Sequence, residues 1–273
     1  MKKIVLSVLA SVSLLLSAEL SIEQQQKIQD DIEKTKAQMS TLDAKVKKLQ
    51  AQLPPNEDLK THAELGYIKT SGNTKTDTFN LNLKMEKPFG AHKLTYLFDG
   101  QYASDKDKET KNKFVTELEY FYSFTDRFSA TYLAGYKRDK FSGFDYQAYT
   151  GPGIEYKVIK ELKHELDLSA NVLYSVDKLE DYINDTNDYT GYRAKALYGW
   201  QILENLKFTQ EASYRASFED CDDYFVYAKS AIFSKVSDIF SVGASYQIDY
   251  ANNPPSDKKY TDETFTVNLI ADF

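Results

Sequence analysis

The chain has 273 residues and a formal net charge of −7, from 41 acidic and 34 basic side chains. That length allows one large all-β domain or two smaller ones, and the acidic balance argues against a nucleic-acid partner. The mean hydropathy of −0.53 does not exclude a membrane barrel, because only alternate strand residues face lipid in one.

Met1-Lys2-Lys3 opens the chain with positive charge, and Ile4 to Leu16 is apolar with Ser and Ala interspersed. The pattern predicts a secretory signal peptide over 1–18, since a membrane helix needs about 18 or more apolar residues. Residues 19–53 have a different period. Ile28, Thr35, Leu42 and Leu49 recur every seven residues, and Ile32, Met39, Val46 and Leu53 do so with an offset of four. These are d and a positions of a heptad, with Glu, Lys, Gln and Asp between them. The spacing predicts a coiled-coil helix in the periplasm, joining copies of the chain into a homo-oligomer. The alternative is a single amphipathic helix at the rim of a barrel. Pro54-Pro55 ends the helix, and 54–60 reads as a linker.

From 61 to 273 the period becomes two, the mark of half-buried strands. Ala63, Leu65 and Tyr67 begin the series. Phe79, Leu81, Leu83 and Met85 follow, opposed by Thr78, Asn80, Asn82 and Lys84. Similar alternation recurs through Leu94–Tyr102, Phe114–Tyr122, Phe128–Tyr136, Tyr146–Tyr156, Leu166–Tyr174, Tyr192–Trp200, Phe208–Ala216 and Phe240–Tyr250. Pro152 lacks an N–H and predicts a ladder defect. Tyr224 to Val236 is the weakest strand, because neither face is cleanly apolar. The last strand sets Phe265, Val267, Leu269 and Ala271 against Thr264, Thr266, Asn268, Ile270 and Asp272, and ends on Phe273.

The count is about twelve, with strands of ~11–14 residues, enough to span an apolar band of ~25 Å when tilted. Short turns (Pro88–Ala91, Thr125–Arg127, Ile159–Leu162, Leu203–Asn205, Lys235–Ser237) alternate with longer charged loops, among them Ser104–Lys111, Asp139–Asp145, Asp177–Asp188 and Ala251–Glu263. The predicted fold is all-β: a transmembrane antiparallel up-and-down barrel in outer-membrane lipid, preceded by the periplasmic coil.

The inward face carries Lys84, Asp99, Lys113, Glu117, Glu119, Lys137, Glu155, Lys157, Arg193, Lys195, Glu211 and Arg215. Mixed signs of this kind serve either a narrow solute pore or a lumen filled by ion pairs across it. His62, His92 and His164 all fall near the periplasmic rim, and none is followed by Ser in a His-x-Ser pattern, so each reads as interfacial packing. Loop carboxylates Asp181, Asp185, Asp188, Asp220, Asp222 and Asp223 suit weak Ca²⁺ or Mg²⁺ contact, but no loop has the spacing of a calcium site. Cys221 has no second Cys to pair with, and its acidic neighbours disfavour a thiolate. No cofactor and no enzymatic activity are expected, with an outer-membrane hydrolase as a distant alternative.

The terminal strand resembles the C-terminal strand of bacterial outer-membrane barrels. The resemblance implies that Phe265, Leu269 and Phe273 form the signal read by the barrel-insertion machinery. Glu64-Leu65-Gly66-Tyr67, Thr70-Ser71-Gly72-Asn73-Thr74 and Asp139-Lys140-Phe141-Ser142-Gly143-Phe144-Asp145-Tyr146-Gln147 add to it. Together these make residues from about Ala63 to Phe273 similar to the YdiY-like, salt-induced outer-membrane protein family. That family's function is unknown, so the resemblance implies a fold and a location and supplies no catalytic residues. Two functions follow as expectations: a channel for small solutes, or a structural envelope-stress barrel whose coil contacts periplasmic partners or the cell wall.

Overall fold

The computed structural model describes residues 22–50, 57–69, 76–179, 186–220, 222–254 and 258–273. The expected signal peptide, Leu53, Pro54-Pro55, the Ser71–Thr74 turn, Asp181, Asp185 and Cys221 lie outside these residues. The chain divides into two compact units, Met1–Pro55 and Asn56–Phe273.

The first unit is helix α1, Ile22–Gln50, 29 residues long. It contains neither Gly nor Pro, and its exposed polar side chains hydrogen-bond locally. Thr35, at a d position, donates to the Asp31 carbonyl at 2.7 Å, one turn back, which satisfies its hydroxyl within the helix. Ile28, Ile32, Met39, Leu42 and Leu49 are all exposed. No described helix is long and apolar enough to cross a membrane.

The second unit is a sheet of twelve strands: β1 (Lys60–Lys69), β2 (Thr76–Phe89), β3 (His92–Asp105), β4 (Lys108–Ser123), β5 (Phe128–Asp139), β6 (Phe144–Lys160), β7 (His164–Leu179), β8 (Thr186–Leu203), β9 (Leu206–Ser217), β10 (Tyr224–Lys235), β11 (Phe240–Ala251) and β12 (Thr261–Asp272). Each strand pairs with its sequence neighbours, and β1 meets β12 to close the barrel. Closure gives the strands hydrogen-bonding neighbours on both sides, which a hydrocarbon environment demands. At the closing seam His62, Ala63, Glu64 and Leu65 face Asp272, Ala271, Ile270 and Leu269. Thr61 and Phe273 add two backbone hydrogen bonds there, at 2.6 and 2.9 Å.

Strand parity explains the burial. Leu65, Leu118, Tyr132, Ile154, Leu168, Val172, Val267 and Leu269 point out and are exposed, while Glu64, Asn80, Gln101, Lys113, Glu117, Asn171, Arg193 and Asn268 point in and are buried. A soluble protein hides a contiguous apolar surface of this extent, whereas a barrel in lipid needs one. Aromatic rings mark its edges. Tyr192, Tyr214, Tyr224, Tyr250 and Tyr260 form a continuous row with centroids 5.4–6.4 Å apart. At the short-turn end His92 stacks on Phe89, and His164 stacks on Trp200. Amphipathic rings belong at the two membrane–water boundaries.

Several local expectations change. Ser104–Lys111 is not a long loop: β3 and β4 continue to a two-residue turn, Lys106-Asp107, with both φ angles positive (48° and 63°). Such left-handed pairs match the twist of the flanking strands, so the charged run extends the hairpin instead of breaking it. The same happens at Asp139–Asp145, where only residues 140–143 turn the chain. Strand lengths accordingly reach 18 residues in β8. β1 begins at Lys60, inside the expected linker. β10 reads poorly in sequence because its inner face carries Phe225, Tyr227 and Phe233, while its outer face carries Ser230, which donates to Gln210 on β9. At Gly151-Pro152 the pairing of β6 with β7 is interrupted while the register is kept. A Cβ on Gly151 would lie 1.9 Å from the Val172 carbonyl oxygen, so only glycine lets the two backbones approach here.

Candidate functional site: the lumen

The barrel encloses a cavity of about 1650 Å³. Its lining includes Lys60, Asp238 and Phe273 at the short-turn end and Phe141, Pro254 and Tyr260 at the opposite end. Lys84, Asp99, Lys113, Glu117, Lys137, Lys157, Arg193, Lys195, Glu211 and Arg215 all line it. Glu119 and Glu155 are not among the lining residues. Glu119 is buried between Thr95 and Leu133 of the neighbouring strands, and Glu155 lies between Ser129 and Ser169.

The bore is not evenly open. Leu133, Tyr149 and Leu173, on β5, β6 and β7, form a buried apolar cluster on the inner wall. Gly135 makes this possible, since a Cβ there would stand 2.2 Å from the Tyr149 ring. The sequence signal for that plug is weak, because a Leu on the polar side of a strand looks like a break in the pattern.

Strand β4 sends two ion pairs of opposite polarity across the lumen. Glu117 accepts from Arg193 Nη1 on β8 at 2.7 Å and from the Tyr149 hydroxyl at 2.5 Å. Lys113 Nζ reaches Asp249 on β11 at 2.7 Å. Gln247 donates to the same Asp249 carboxylate at 2.7 Å. Lys195 pairs with Glu211 at 2.9 Å along the wall of β8 and β9. Even so, among the described residues ten buried side-chain atoms have no hydrogen-bond partner, and all sit on inward residues. They include Glu119 Oε1, Asn171 Oδ1, Asp177 Oδ1, Arg193 Nε and Nη2, and Arg215 Nη1. Buried polar groups normally find partners, so this lumen is not a finished polar core.

The histidines divide. His92 and His164 bond to the hydroxyls of Tyr120 (2.5 Å) and Tyr198 (2.8 Å) in the aromatic girdle. His62 is different and corrects the reading of interfacial packing for all three. It faces the lumen between Asp272 (2.6 Å) and Glu64 (3.1 Å). Glu64 in turn accepts from Asn268 at 2.7 Å and pairs with Lys229 at 3.5 Å. This chain links the closing seam to β10 from inside. No His, Cys, Asp or Glu group able to hold a metal occurs among the described residues. Sequence reasoning passed over Asp249, Tyr149, Phe225, Glu64 and Lys229. Parity alone places Asp249 inward, between Ile248 and Tyr250, and Glu64 inward between Ala63 and Leu65.

Phe265 and Leu269 point outward and are exposed, and Phe273 is exposed at the short-turn rim, at the mouth of the cavity it helps to line. Of the expected seam on α1, the Val46 side chain and Leu53 lie outside the described residues.

A closed twelve-stranded barrel with an apolar exterior, aromatic edges and a charged bore is an outer-membrane β-barrel, and the cell outer membrane is its location. More particularly, the chain belongs to the family described as Protein of unknown function, DUF481, whose model matches residues 63–273. It is 23% identical over 207 residues to the uncharacterized protein YdiY of Escherichia coli (strain K12), covering 75% of this chain and 79% of that one. Among solved structures it is similar to the NanC porin, at 10% identity and a TM-score of 0.48, covering 79% of this chain and 99% of that one. It is also similar to the outer membrane channel DcaP of Acinetobacter baumannii, at 12% identity and a TM-score of 0.39, covering 79% and 95%. With scores this low, placement in the membrane stands on the barrel's own two faces.

Proposed function

We propose that the barrel is a narrow outer-membrane channel for small polar solutes. The observation that carries this reading is the cavity, which reaches lining residues at both ends of the strands, is walled by side chains of both charge signs, and leaves Arg193 Nε and Nη2 and Arg215 Nη1 without protein partners among the described residues. A lumen of that kind is stabilised by water and by solutes that hydrogen-bond as water does. About twelve strands leave less room than wide porins have, and the Leu133–Tyr149–Leu173 plug narrows it further. The refolded protein in planar bilayers is expected to give small, discrete conductance steps. Stable insertion without conductance contradicts the proposal.

A second reading is a structural, envelope-stress barrel, and the Glu117–Arg193 and Lys113–Asp249 bridges favour it. Under that reading, breaking the bridges lowers stability and no solute passes. In either case we propose that the exposed stripe of α1 pairs with the same helix in another copy, and that insertion runs through the barrel-assembly machinery. Chemical cross-linking of the full chain tests the pairing, with products lost when Ile32 and Met39 become Ser.

A further inference from the structure

We propose that the outer half of the lumen holds a seat for a small organic carboxylate, built by Arg215 and Lys137 against the ring faces of Tyr149 and Phe225. The proposal rests on the channel reading for what passes through the bore. Its binding half stands on these residues alone.

Arg215 lies on β9 two residues from the strand's outer end, directly opposite Arg193 on β8 and Phe225 on β10. Like charges directly opposite each other destabilise a sheet unless each is offset. Arg193 is offset by Glu117. Arg215 is not: among the described residues no carboxylate lies within ion-pair distance of it. Its guanidinium instead rests over the Tyr149 ring at 4.9 Å and the Phe225 ring at 4.5 Å. Arg215 is 8% exposed, and its Nη1 has no hydrogen-bond partner. Ring faces hold a cation in place but accept no N–H bond in the plane of the fork.

Lys137, inward on β5, lines the same cavity and is within electrostatic reach of Arg215. It too has no ion-pair partner among the described residues. The carboxylates facing this region are mostly committed elsewhere. Asp249 is held by Lys113 and Gln247, and Glu117 by Arg193 and Tyr149. Asp139 accepts from the Phe141 backbone N–H. Asp177 accepts from Gln147 and Tyr189 through Oδ2 and keeps Oδ1 unpartnered, which makes it a competitor for Arg215.

The geometry selects the ligand's chemistry. A planar guanidinium with a free edge binds a carboxylate through two parallel hydrogen bonds, and an ammonium beside it adds charge. The rings around it favour a flat apolar body behind the carboxylate, as Phe144 already does edge-on to Phe225 at 6.3 Å. A benzoate-like anion fits this description better than a bare inorganic ion or an organic cation.

The test has two arms, using the full chain refolded in detergent and then in planar bilayers. In calorimetric titration, benzoate is expected to bind and benzylamine not to. Arg215→Gln is expected to weaken benzoate binding at least tenfold, Lys137→Gln by several-fold, and Asp177→Asn to tighten it. Heat-dependent gel mobility confirms that each variant is folded. Equal binding by wild type and Arg215→Gln, or none by wild type, overturns the seat. In the second arm, the reversal potential under a potassium benzoate gradient is expected to show anion preference that Arg215→Gln removes. Cation preference in the wild type overturns the inference while leaving the channel standing. Absence of conductance sinks the channel reading, and the calorimetric arm then decides the seat by itself.

Discussion

The two faces of the same twelve strands follow opposite rules. Outside, along β7, Leu166, Leu168, Ala170, Val172 and Tyr174 meet a uniform solvent, so any apolar side chain of suitable size serves. Inside, the polar face carries Asp167, Ser169 and Asn171, and Asn171 must find Thr131 two strands away at 3.1 Å. The difference teaches where specificity lies in this molecule. The exterior is written as a period and the interior as a set of pairs.

Mutations break this contrast in a definite order. The largest effect is expected at the seam, where exterior and interior rules meet over four registered pairs. Removing Phe273 deletes both of its hydrogen bonds to Thr61 and the exposed aromatic at the rim, and is expected to abolish most assembly. The heat-mobility shift of membrane-extracted protein measures this, and normal insertion speaks against it. Next comes the lipid face: Val172→Arg is expected to cost about 2–4 kcal/mol near the bilayer middle, while an inward Ser169→Arg costs far less. Urea titration in bilayers compares the two, and equal losses would erase the distinction between the faces. Third, Glu117→Gln leaves the Arg193 guanidinium buried without its counter-charge, at about 1–3 kcal/mol, and is expected to enlarge the conductance step. The smallest effect belongs to α1. Leu42→Ser is expected to leave barrel stability within about 0.5 kcal/mol of wild type, because the side chain is exposed on α1 and belongs to the other compact unit.

How much of this was legible in the sequence follows the same divide. The outward period gave the strand number and the up-and-down order, because the bilayer imposes one repeating demand on every strand. It was weakest at β10, placed near Tyr224 to Val236 and found at Tyr224–Lys235, because Phe225, Tyr227 and Phe233 turn inward and blur the contrast between the faces. It misjudged Ser104–Lys111, since charge reads as loop although Lys106 and Asp107 suffice to turn the chain. The inward parity of Lys113, Glu117, Arg193 and Arg215 was readable, but their partners were not. Glu117 and Arg193 are 76 positions apart in the chain, and only the closed circumference brings them together. Tyr149 inside the bore depends on the missing side chain of Gly135, a correlation that one strand's pattern does not reveal.

The most direct test of the two-face account is a spin-label scan of β7 from Leu166 to Tyr174, in a Cys221→Ser background reconstituted in lipid. Collision with oxygen is expected at Leu166, Leu168, Ala170, Val172 and Tyr174. Collision with a water-soluble nickel complex is expected at Asp167 and Ser169, falling off at Asn171 and Leu173, which are buried in the inner wall. A profile without period-two alternation contradicts the barrel, and oxygen-only collision on both faces contradicts a wet lumen.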